Sequence, residues 1–512
     1  MNGAGSARRA GLLHLGRDGH ESGASVPKLA TGIPGFDHVA MGGIPRGRAT
    51  VLVGRAGSAK TVFAGHFLAE GVRAGQAGVF VTFEEPAPDL RTNLGTLGFD
   101  VPAWEAAGQW RFVDASPVLR PSGEVAPYNL ETLAAQVGHA VDGTGAERLV
   151  LDGLTVMLSL AEDPVVVRQR LRSLIRTLRG MGLTIVLTVE APDDRDGTMS
   201  RYGIEEFVAD TVVLLRNVRE GTFRRRTVEV LKMRGAMHHK GAVACTIVPG
   251  RGLVVLPVRE PEQATLLDER LSTGSSEFDA MTGGGLFQSS STLVSGPTGT
   301  GKTLLATAFL DAGAALGERV VLFAYEETRE QILRNARGWG HDLERHEQAG
   351  HLLIVPLYPE VASLDDHLVE IRAVVDRFSP SRIAVDSLSA LERLGSPESY
   401  REFVIGLTSY AKETGVTTLV TSSAADLLGG GRSATDSYVS GVIDTIVLLR
   451  YVEVDGSIRR VLTALKMRGS RHDSAVREFT IDSTGLVVGE RFTDGAGGSG
   501  GSGVLGRTPG AY

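Results

Sequence analysis

The sequence predicts an α/β protein of two tandem domains, each a mostly parallel sheet between layers of helices. Three observations carry this prediction. The chain has 512 residues, it contains a long internal repeat, and short apolar runs such as ATVLVG and RLVLD alternate with longer helix-like stretches. A chain of this length favours two or more domains. Apolar strands separated by helices form parallel sheets that are covered on both faces.

The repeat is read from phrases that recur in the same order in both halves. The segment LATGIPGFDHVAMGGIPRGRATVLVG is echoed by LSTGSSEFDAMTGGGLFQSSSTLVSG. The pairs GVFVTFEE and VVLFAYEE, ERLVLDGL and SRIAVDSL, and VEVLKMRG and LTALKMRG follow. Such self-similarity indicates a duplicated domain. We predict a first domain at 29–258 and a second at 259–490, between tails at 1–28 and 491–512.

The composition predicts a globular protein with flexible ends. With 42% hydrophobic residues and a net charge of −7, the chain is not expected to bind nucleic acid over its whole surface. Its single cysteine, Cys245, excludes an intrachain disulfide and lies in an apolar run, where we expect it to be buried. No membrane-spanning or secretory pattern is present, so we expect a cytoplasmic protein. The Gly/Ser-rich end is typical of a flexible tail.

A glycine-rich phosphate-binding loop follows a strand in each half. In the second half, the strand STLVS runs into GPTGTGKT and then into the helix-like stretch LLATAFLDAGAALG. In such a loop the backbone wraps the phosphates, Lys302 reaches the outer phosphates and Thr303 can hold Mg²⁺. The residues predicted to hold nucleotide here are Gly296, Thr298, Gly299, Thr300, Gly301, Lys302 and Thr303.

The first loop, GRAGSAKT, departs from the pattern at Ala59, where a glycine is expected. A methyl group there either crowds the loop or requires a backbone angle that alanine resists. We expect the site to bind nucleotide nevertheless, and the alternative is a degenerate, structural copy. The residues concerned are Gly54, Gly57, Ser58, Ala59, Lys60 and Thr61.

An aspartate ends an apolar strand in each half. Asp152 follows RLVL and Asp386 follows RIAV, where a carboxylate can orient Mg²⁺ directly or through water. An isolated aspartate after a strand more often caps a turn, but the paired occurrence with phosphate loops favours a metal site. We predict metal sites formed by Thr61 with Asp152, and by Thr303 with Glu326 and Asp386.

Paired glutamates end another strand in each half, at Glu84–Glu85 and Glu326–Glu327. Neighbouring side chains of a strand point to opposite sides, so at most one of each pair is needed as the general base. Two solvated carboxylates that close a strand are the alternative. Their recurrence after matching strands favours catalysis.

The basic phrase LKMRG recurs late in each half, far along the sequence from the phosphate loops. Basic side chains on a strand are usually solvated surface, but a repeated phrase also suits a contact with the nucleotide of a neighbouring subunit, which requires a ring. The residues concerned are Lys232, Met233, Arg234 and His238 in the first half, and Lys466, Met467, Arg468 and His472 in the second.

Together these phrases resemble the KaiC family of circadian clock proteins over nearly all of residues 29–490. The most specific are RYGIEEFVAD, GPTGTGKT, RIAVDSLSAL, ATDSYVSGVIDTIVLL and LKMRGSRHD. The resemblance implies a double-ring homohexamer of RecA-like P-loop NTPase domains with ATP at the subunit interfaces. It implies slow hydrolysis in the first ring, and autokinase and autophosphatase activity in the second. It further implies Trp339 near the adenine, Arg393 at the interface and Ser440 as phosphoacceptor.

Two departures limit what the resemblance implies. Gly441 replaces the family's second acceptor, a threonine, so a two-site phosphorylation cycle is not expected. A Gly/Ser-rich run also replaces the segment that recruits the activator KaiA, so KaiA is not an expected partner. We predict a KaiC-like ATPase with serine autokinase activity that works with signalling proteins. The alternatives are a DNA-stimulated, helicase-type ATPase, disfavoured because no basic, aromatic-rich loop stands out, and a nucleotide-gated scaffold.

Overall fold

The computed structural model describes residues 26–117, 130–159, 164–191, 209–258, 268–423, 441–454 and 456–492. These residues form two nine-stranded sheets, each accompanied by a two-stranded sheet. Each large sheet is mostly parallel and has helices on its faces, which confirms the predicted fold class. Cys245 is buried, as predicted.

The first domain contains strands β1 to β11 and helices α1 to α7. The strands are β1 Lys28–Leu29, β2 Ile44–Pro45, β3 Ala49–Gly54, β4 Gly78–Thr82, β5 Trp110–Asp114, β6 Arg148–Asp152, β7 Thr184–Glu190, β8 Thr211–Glu220, β9 Phe223–Met233, β10 Val243–Val248 and β11 Gly252–Val255. The helices are α1 Phe36–Val39, α2 Lys60–Arg73, α3 Ala87–Gly95, α4 Val101–Ala106, α5 Leu130–Thr144, α6 Leu154–Ser159 and α7 Pro164–Gly180.

The second domain repeats this plan with strands β12 to β22 and helices α8 to α13. The strands are β12 Arg270–Leu271, β13 Leu286–Phe287, β14 Ser291–Ser295, β15 Val320–Ala324, β16 Leu352–Pro356, β17 Arg382–Asp386, β18 Thr417–Ser422, β19 Thr445–Val454, β20 Ser457–Met467, β21 Arg477–Asp482 and β22 Gly485–Arg491. The helices are α8 Ser276–Met281, α9 Lys302–Ala315, α10 Arg329–Gly338, α11 Leu343–Gln348, α12 Leu364–Phe378 and α13 Pro397–Glu413.

The two large sheets have equivalent strand orders. The first runs β11-β10-β9-β8-β3-β7-β6-β4-β5, and the second runs β16-β15-β17-β18-β14-β19-β20-β21-β22. In each, a parallel part carries a long antiparallel hairpin and two further strands on one side. The strands that precede the phosphate loops, β3 and β14, lie inside the parallel part. Ligands of such sheets bind at the carboxyl ends of the parallel strands.

Each parallel part is packed on both faces by apolar cores. One buried arginine begins the same strand in each domain, Arg148 in β6 and Arg382 in β17. Arg148 donates to the carbonyl of Phe67 at 2.7 Å, and Arg382 donates to that of Phe309 at 3.2 Å. Because buried charges need partners, these bonds tie the helix after each phosphate loop to the sheet.

The two domains meet at the tip of the first hairpin, β8–β9. Arg225 donates to Asp365 at 3.1 Å, to Ser399 at 2.8 Å and to Glu402 at 2.5 Å, all in the second domain. Glu220 accepts from the hydroxyl of Ser399 at 2.5 Å. Only 15% of the Arg225 side chain and 11% of that of Asp365 are exposed, so this ion pair is largely removed from water.

Ordered structure extends into both of the predicted tails. Lys28 lies in β1, and its ammonium donates to the carbonyls of Ala40 at 2.5 Å and Met237 at 2.8 Å. At the other end, β22 runs to Arg491, and the N–H of Phe492 donates to the carbonyl of Val476 at 2.8 Å. Composition alone assigned residues 26–28 and 491–492 to the tails. Backbone pairing, and the hydrogen bonds of the Lys28 ammonium, hold these residues against the domains.

Among the residues described, no helix combines the length and apolar character that crossing a bilayer requires.

Candidate nucleotide sites

Each phosphate loop connects a central strand to the N-terminus of a buried helix, β3 to α2 and β14 to α9. The two lysines adopt the same position. Lys60 donates to the carbonyl of Gly54 at 2.7 Å, and Lys302 donates to that of Gly296 at 2.8 Å. Both loops therefore place a lysine ammonium and a helix N-terminus together, which is the arrangement that binds phosphate.

Backbone geometry explains the glycine pattern of the loops. Gly301 immediately precedes α9 with φ of 102°, and Ala59 precedes α2 with φ of 78°, both in the left-handed region. A Cβ on Gly301 would lie 3.0 Å from the Cδ1 of Ile481. Ala59 is therefore a non-glycine residue in a conformation that disfavours side chains, and its methyl group is buried in the core of the first domain.

The two strand-end aspartates are held by threonines. In the first domain, Asp152 accepts from Thr61 at 2.9 Å and from Thr188 at 2.6 Å. In the second domain, Asp386 accepts from Thr421 and from Thr303. Thr61 and Thr303 were predicted metal ligands, whereas Thr188 and Thr421 were not anticipated, although LTVE and VTSS stand at matching places in the repeat.

Burial changes the acid–base properties of both sites. It raises the pKa of Asp152 and of Asp386, and the hydrogen bonds from the threonines oppose that increase. It lowers the pKa of Lys60 and of Lys302, and the surrounding carboxylates oppose that decrease. Each site thus contains opposite charges in a partly dehydrated setting, where electrostatic interactions are stronger than in water.

The glutamates of the first pair lie in the bend that follows β4, not in the strand, and they have different neighbours. Glu84 lies close to the strand end that carries Asp152. A Cβ built on Gly153, the residue after Asp152, would lie 3.0 Å from the Cγ of Glu84. Burial, and then the charge of Asp152, raises the pKa of Glu84. Glu85 instead accepts from Asn93. Glu84 is therefore the member of the pair that lies in the field of both Asp152 and Lys60.

The second domain shows the same separation. Glu326 accepts from the hydroxyl of Ser387 at 2.9 Å, beside Asp386. Glu327 accepts from Asn335 at 3.2 Å, and burial raises its pKa. Glu326 corresponds in position to Glu84.

The residues present suit a Mg²⁺–nucleotide complex. Each site offers one hydroxyl beside one carboxylate, and Mg²⁺ is usually held by one or two protein ligands together with phosphates and water. Across the described ranges no cluster of three histidine, cysteine, aspartate or glutamate side chains could hold a metal by itself. When bound, the ion would neutralise phosphate charge, and Thr61 with Asp152, or Thr303 with Asp386, would hold it.

The LKMRG segments lie at the opposite edge of each sheet from the phosphate loop of the same domain. In β20, Arg460 donates to the carbonyl of Gly299 in the loop at 3.3 Å, whereas Lys466 donates to that of Ile443 at 2.8 Å. Six residues of strand separate Arg460 from Lys466, a distance of about 20 Å. Lys466 therefore cannot reach the phosphate loop of its own domain.

A β-bulge precedes the basic segment in both domains. The register shifts between Val212 and Val213 opposite β9, and between Ile446 and Val447 opposite β20. Each shift leaves one extra residue, Leu231 or Leu465, immediately before the lysine. Bulges increase twist and redirect side chains. Both domains therefore contain the same irregularity, which sets the direction of the LKMRG side chains.

The histidines and arginines of the basic segments occupy matching positions. Arg234 and Arg468 lie at the turn that follows the bulged strand. Arg468 donates to the carbonyl of Gly441 at 2.7 Å. His238 contacts the carbonyl of His239 at 2.9 Å, and His472 follows the second segment.

Arginines near the hairpin tips were missed by sequence reasoning. Arg226 donates to the carbonyl of Gly57 at 3.2 Å, as Arg460 does to that of Gly299. Their cross-strand partners also contact the loops, since Asn217 donates to Gly57 at 3.1 Å and Tyr451 to Thr298 at 3.4 Å. The signal available was the recurrence of RR in RRRTVEV and IRRVLTA.

The three residues singled out by family resemblance lie in different places or outside the described ranges. Arg393 lines a cavity of about 750 Å³ together with Glu326 and Glu327, and residues of the first hairpin, including Phe223, close one side of it. Trp339, at the end of α10, packs against the apolar core that contains Phe309, and it is not among the residues that line this cavity. Ser440 lies outside the described residues.

Comparison with known proteins agrees with this geometry. The family model described as "ATPase: KaiC" matches the chain twice, at residues 29–260 and 271–492. The chain is 50% identical to the circadian clock protein KaiC3 of Synechocystis sp., over 91% of this chain and 92% of that protein. It is 42% identical to the circadian clock oscillator protein KaiC of Synechococcus elongatus, over 91% and 90%. With two phosphate loops, two strand-end aspartates and two such matches, the chain belongs to the KaiC ATPase family.

Proposed function

We propose that the protein is a KaiC-like hexameric signalling ATPase: the first domain hydrolyses ATP and the second transfers phosphate to Ser440. The observation that carries the proposal is the repeated set of lysine, threonine, aspartate and glutamate at the carboxyl edge of each sheet. The relatives whose names contain circadian clock support a signalling role for this chain.

In the first domain, Glu84 accepts a proton from water as the water oxygen attacks the γ-phosphorus of ATP. The bond from that phosphorus to the bridging oxygen of ADP breaks, so the products are ADP and inorganic phosphate. Lys60 balances negative charge on the phosphates, and Thr61 with Asp152 would hold the metal. Positioned charges of this kind provide most of the catalysis in phosphoryl transfer.

In the second domain, the nucleophile is the hydroxyl of Ser440 instead of water. Glu326 takes the hydroxyl proton, the serine oxygen bonds to the γ-phosphorus, and ADP leaves. Arg468 supports this assignment, because it donates to the carbonyl of Gly441, the residue next to Ser440. The basic segment and Gly441 therefore meet at the sheet edge opposite the phosphate loop of their own domain.

That arrangement supports assembly in a ring. Lys466 and Arg468 lie far from the phosphate loop of their own domain, so they can act on nucleotide only in another subunit. Nucleotide should then drive assembly, because it binds the ring in preference to the monomer. Native mass measurement with and without Mg²⁺-ATP tests this, and a monomer at saturating ATP would contradict both the hexamer and the trans contacts.

Phosphorylation is tested by mass spectrometry after incubation with Mg²⁺-ATP. We expect one phosphate on Ser440, which is lost in Ser440→Ala and in Glu326→Gln. A further variant is Gly441→Thr. Among the described residues other than its chain neighbours, none has an atom within 4 Å of a Cβ built on Gly441, so we expect a threonine there to be accommodated and to create a second acceptor. Phosphate on Thr435 or Ser437 would show that the acceptor is a different residue. If a hexamer that hydrolyses ATP carried no phosphate at all, the protein would be an ATPase without kinase activity.

A further inference from the structure

The carboxylate of Glu190 lies at the edge of the first nucleotide site. Glu190 ends β7 and pairs in register with Gly54, the first residue of the phosphate loop. The N–H of Ala191 donates to the carbonyl of Gly54 at 3.2 Å. That carbonyl also accepts from Lys60. The strand register therefore fixes Glu190 beside the loop and its lysine.

The matching position in the second domain is Ser423. The N–H of Glu190 donates to the hydroxyl of Thr155 at 2.7 Å, and the N–H of Ser423 donates to that of Ser389 at 2.6 Å. Thr155 and Ser389 occupy equal places in the repeated phrases LDGLT and VDSLS. The backbone arrangement is thus conserved between the domains, while a carboxylate in one is replaced by a hydroxyl in the other.

The side chain of Glu190 leaves the strand on the nucleotide side. Thr188 lies two residues earlier, and side chains two apart in a strand share a face. Thr188 donates to Asp152 at 2.6 Å, which locates that face. The electrostatics agree with this placement. Burial lowers the pKa of Lys60, and among the carboxylates that oppose this decrease Glu190 has the largest influence. Lys60 thus lies in the field of a carboxylate whose place in the described part of the second domain is taken by Ser423.

We propose that Glu190 is a specificity-determining residue that makes the first site release nucleotide more readily than the second. Because Glu190 lies opposite Gly54 at the edge of the loop, its negative charge repels the phosphates that bind Lys60. Ser423 imposes no such repulsion at the second site. The first site is thereby set for repeated turnover and the second for retention of nucleotide. This inference rests on the proposed role of the first domain as an ATP-hydrolysing site.

The test measures binding of a fluorescent ADP analogue to the full chain, with one site inactivated at a time. Lys302→Ala isolates the first site, and Lys60→Ala isolates the second. Glu190→Gln removes the charge at constant shape, and Glu190→Ser copies the second domain. Each should tighten ADP binding at the first site about tenfold, which is the order of magnitude expected when one repelling charge near the protein surface is removed. The nucleotide-induced rise in melting temperature should increase in parallel.

The matched control is the reverse change. Ser423→Glu should weaken ADP binding at the second site by a similar factor, and Glu190→Asp should retain weak binding at the first site. Unchanged ADP affinity in both Glu190→Gln and Ser423→Glu would overturn the inference. Slower hydrolysis at unchanged affinity would assign Glu190 to the chemical step and also overturn it. A Lys302→Ala chain that binds no ADP at all would refute the proposed function of the first domain itself.

Discussion

The two phosphate loops hold their lysines with the same hydrogen bonds, yet differ at the residue before the helix. Gly301 faces Ile481 and Phe479, and a Cβ there would lie 3.7 Å from the Phe479 ring. In the first domain Cys245 occupies the place of Phe479 in the repeat and shares a core cluster with Ala59. Alanine thus replaces the glycine in the domain where the residue at the Phe479 position is smaller, although the Ile481 position is isoleucine in both domains. Whether a departure from the loop motif is tolerated therefore depends on the side chains that pack against the loop.

The largest expected effect tests whether both loops work. Lys60→Ala and Lys302→Ala each remove a cation that faces the phosphates, which should lower turnover at that site by roughly a hundredfold or more. Steady-state hydrolysis should depend mainly on Lys60, and phosphate incorporation on Lys302. If Lys60→Ala changed neither hydrolysis nor hexamer yield, the first copy would be structural.

The hairpin tips provide the second contrast. Arg225→Ala leaves Asp365 buried without its partner, which should cost about 3–5 kcal/mol. The equivalent Arg459 contacts Glu478 at 3.2 Å and is 43% exposed, so Arg459→Ala should cost less than about 1 kcal/mol. Urea unfolding of both variants measures the difference. Equal losses would show that the interdomain ion pair is no stronger than a surface pair.

A third contrast concerns acid. His66 in α2 is buried and accepts from the N–H of Leu253 at 2.9 Å, whereas Ala308 occupies its place in α9. Burial lowers the pKa of His66 to about 4, below its unfolded value of about 6.5. The unfolded chain therefore binds the extra proton between these values, and stability falls as pH decreases from about 6.5 to 4, by up to about 3 kcal/mol.

His66→Ala tests this in thermal melts at several pH values. The variant loses packing against Phe99 and should be less stable at neutral pH, but its melting temperature should decrease less steeply between pH 6.5 and 4.5. Parallel curves for the two proteins would exclude His66 as the acid-sensitive group.

The smallest expected effect returns to the loops. Gly301→Ala introduces a methyl group 3.0 Å from Ile481 at φ of 102°, which should cost about 1–3 kcal/mol. Adding Phe479→Cys reproduces the pair found in the first domain and should recover part of that loss. Melting of the two single variants and the double variant forms a mutant cycle. Simple additivity would show that the two positions are independent.

The sequence was sufficient for features that are local or repeated. The strand–loop–helix phrases placed both lysines and both threonines. The glutamate pairs were expected to end β4 and β15, but they lie in the bends that follow these strands. The sequence was not sufficient for contacts set by parallel pairing. Thr188 and Glu190 lie about 130 residues from Lys60 in the chain, and only the register of β7 on β3 brings them together. The docking of Arg225 on α12 and α13 was likewise invisible, because it depends on how two domains meet.

The hairpin contact also distinguishes the two domains, because only one of the two hairpins carries the full set of contact residues. Glu220 and Arg225 of the first hairpin bind the domain that follows, while Val454 stands in the second hairpin where Glu220 stands in the first. Ile458, near that second tip, is 74% exposed. Modular arrays grow when each unit presents the same docking surface to the next one and end at a unit that lacks it. A further copy of the domain placed against the second hairpin would therefore lack the hydrogen bond that Glu220 makes, and it would face an exposed isoleucine instead.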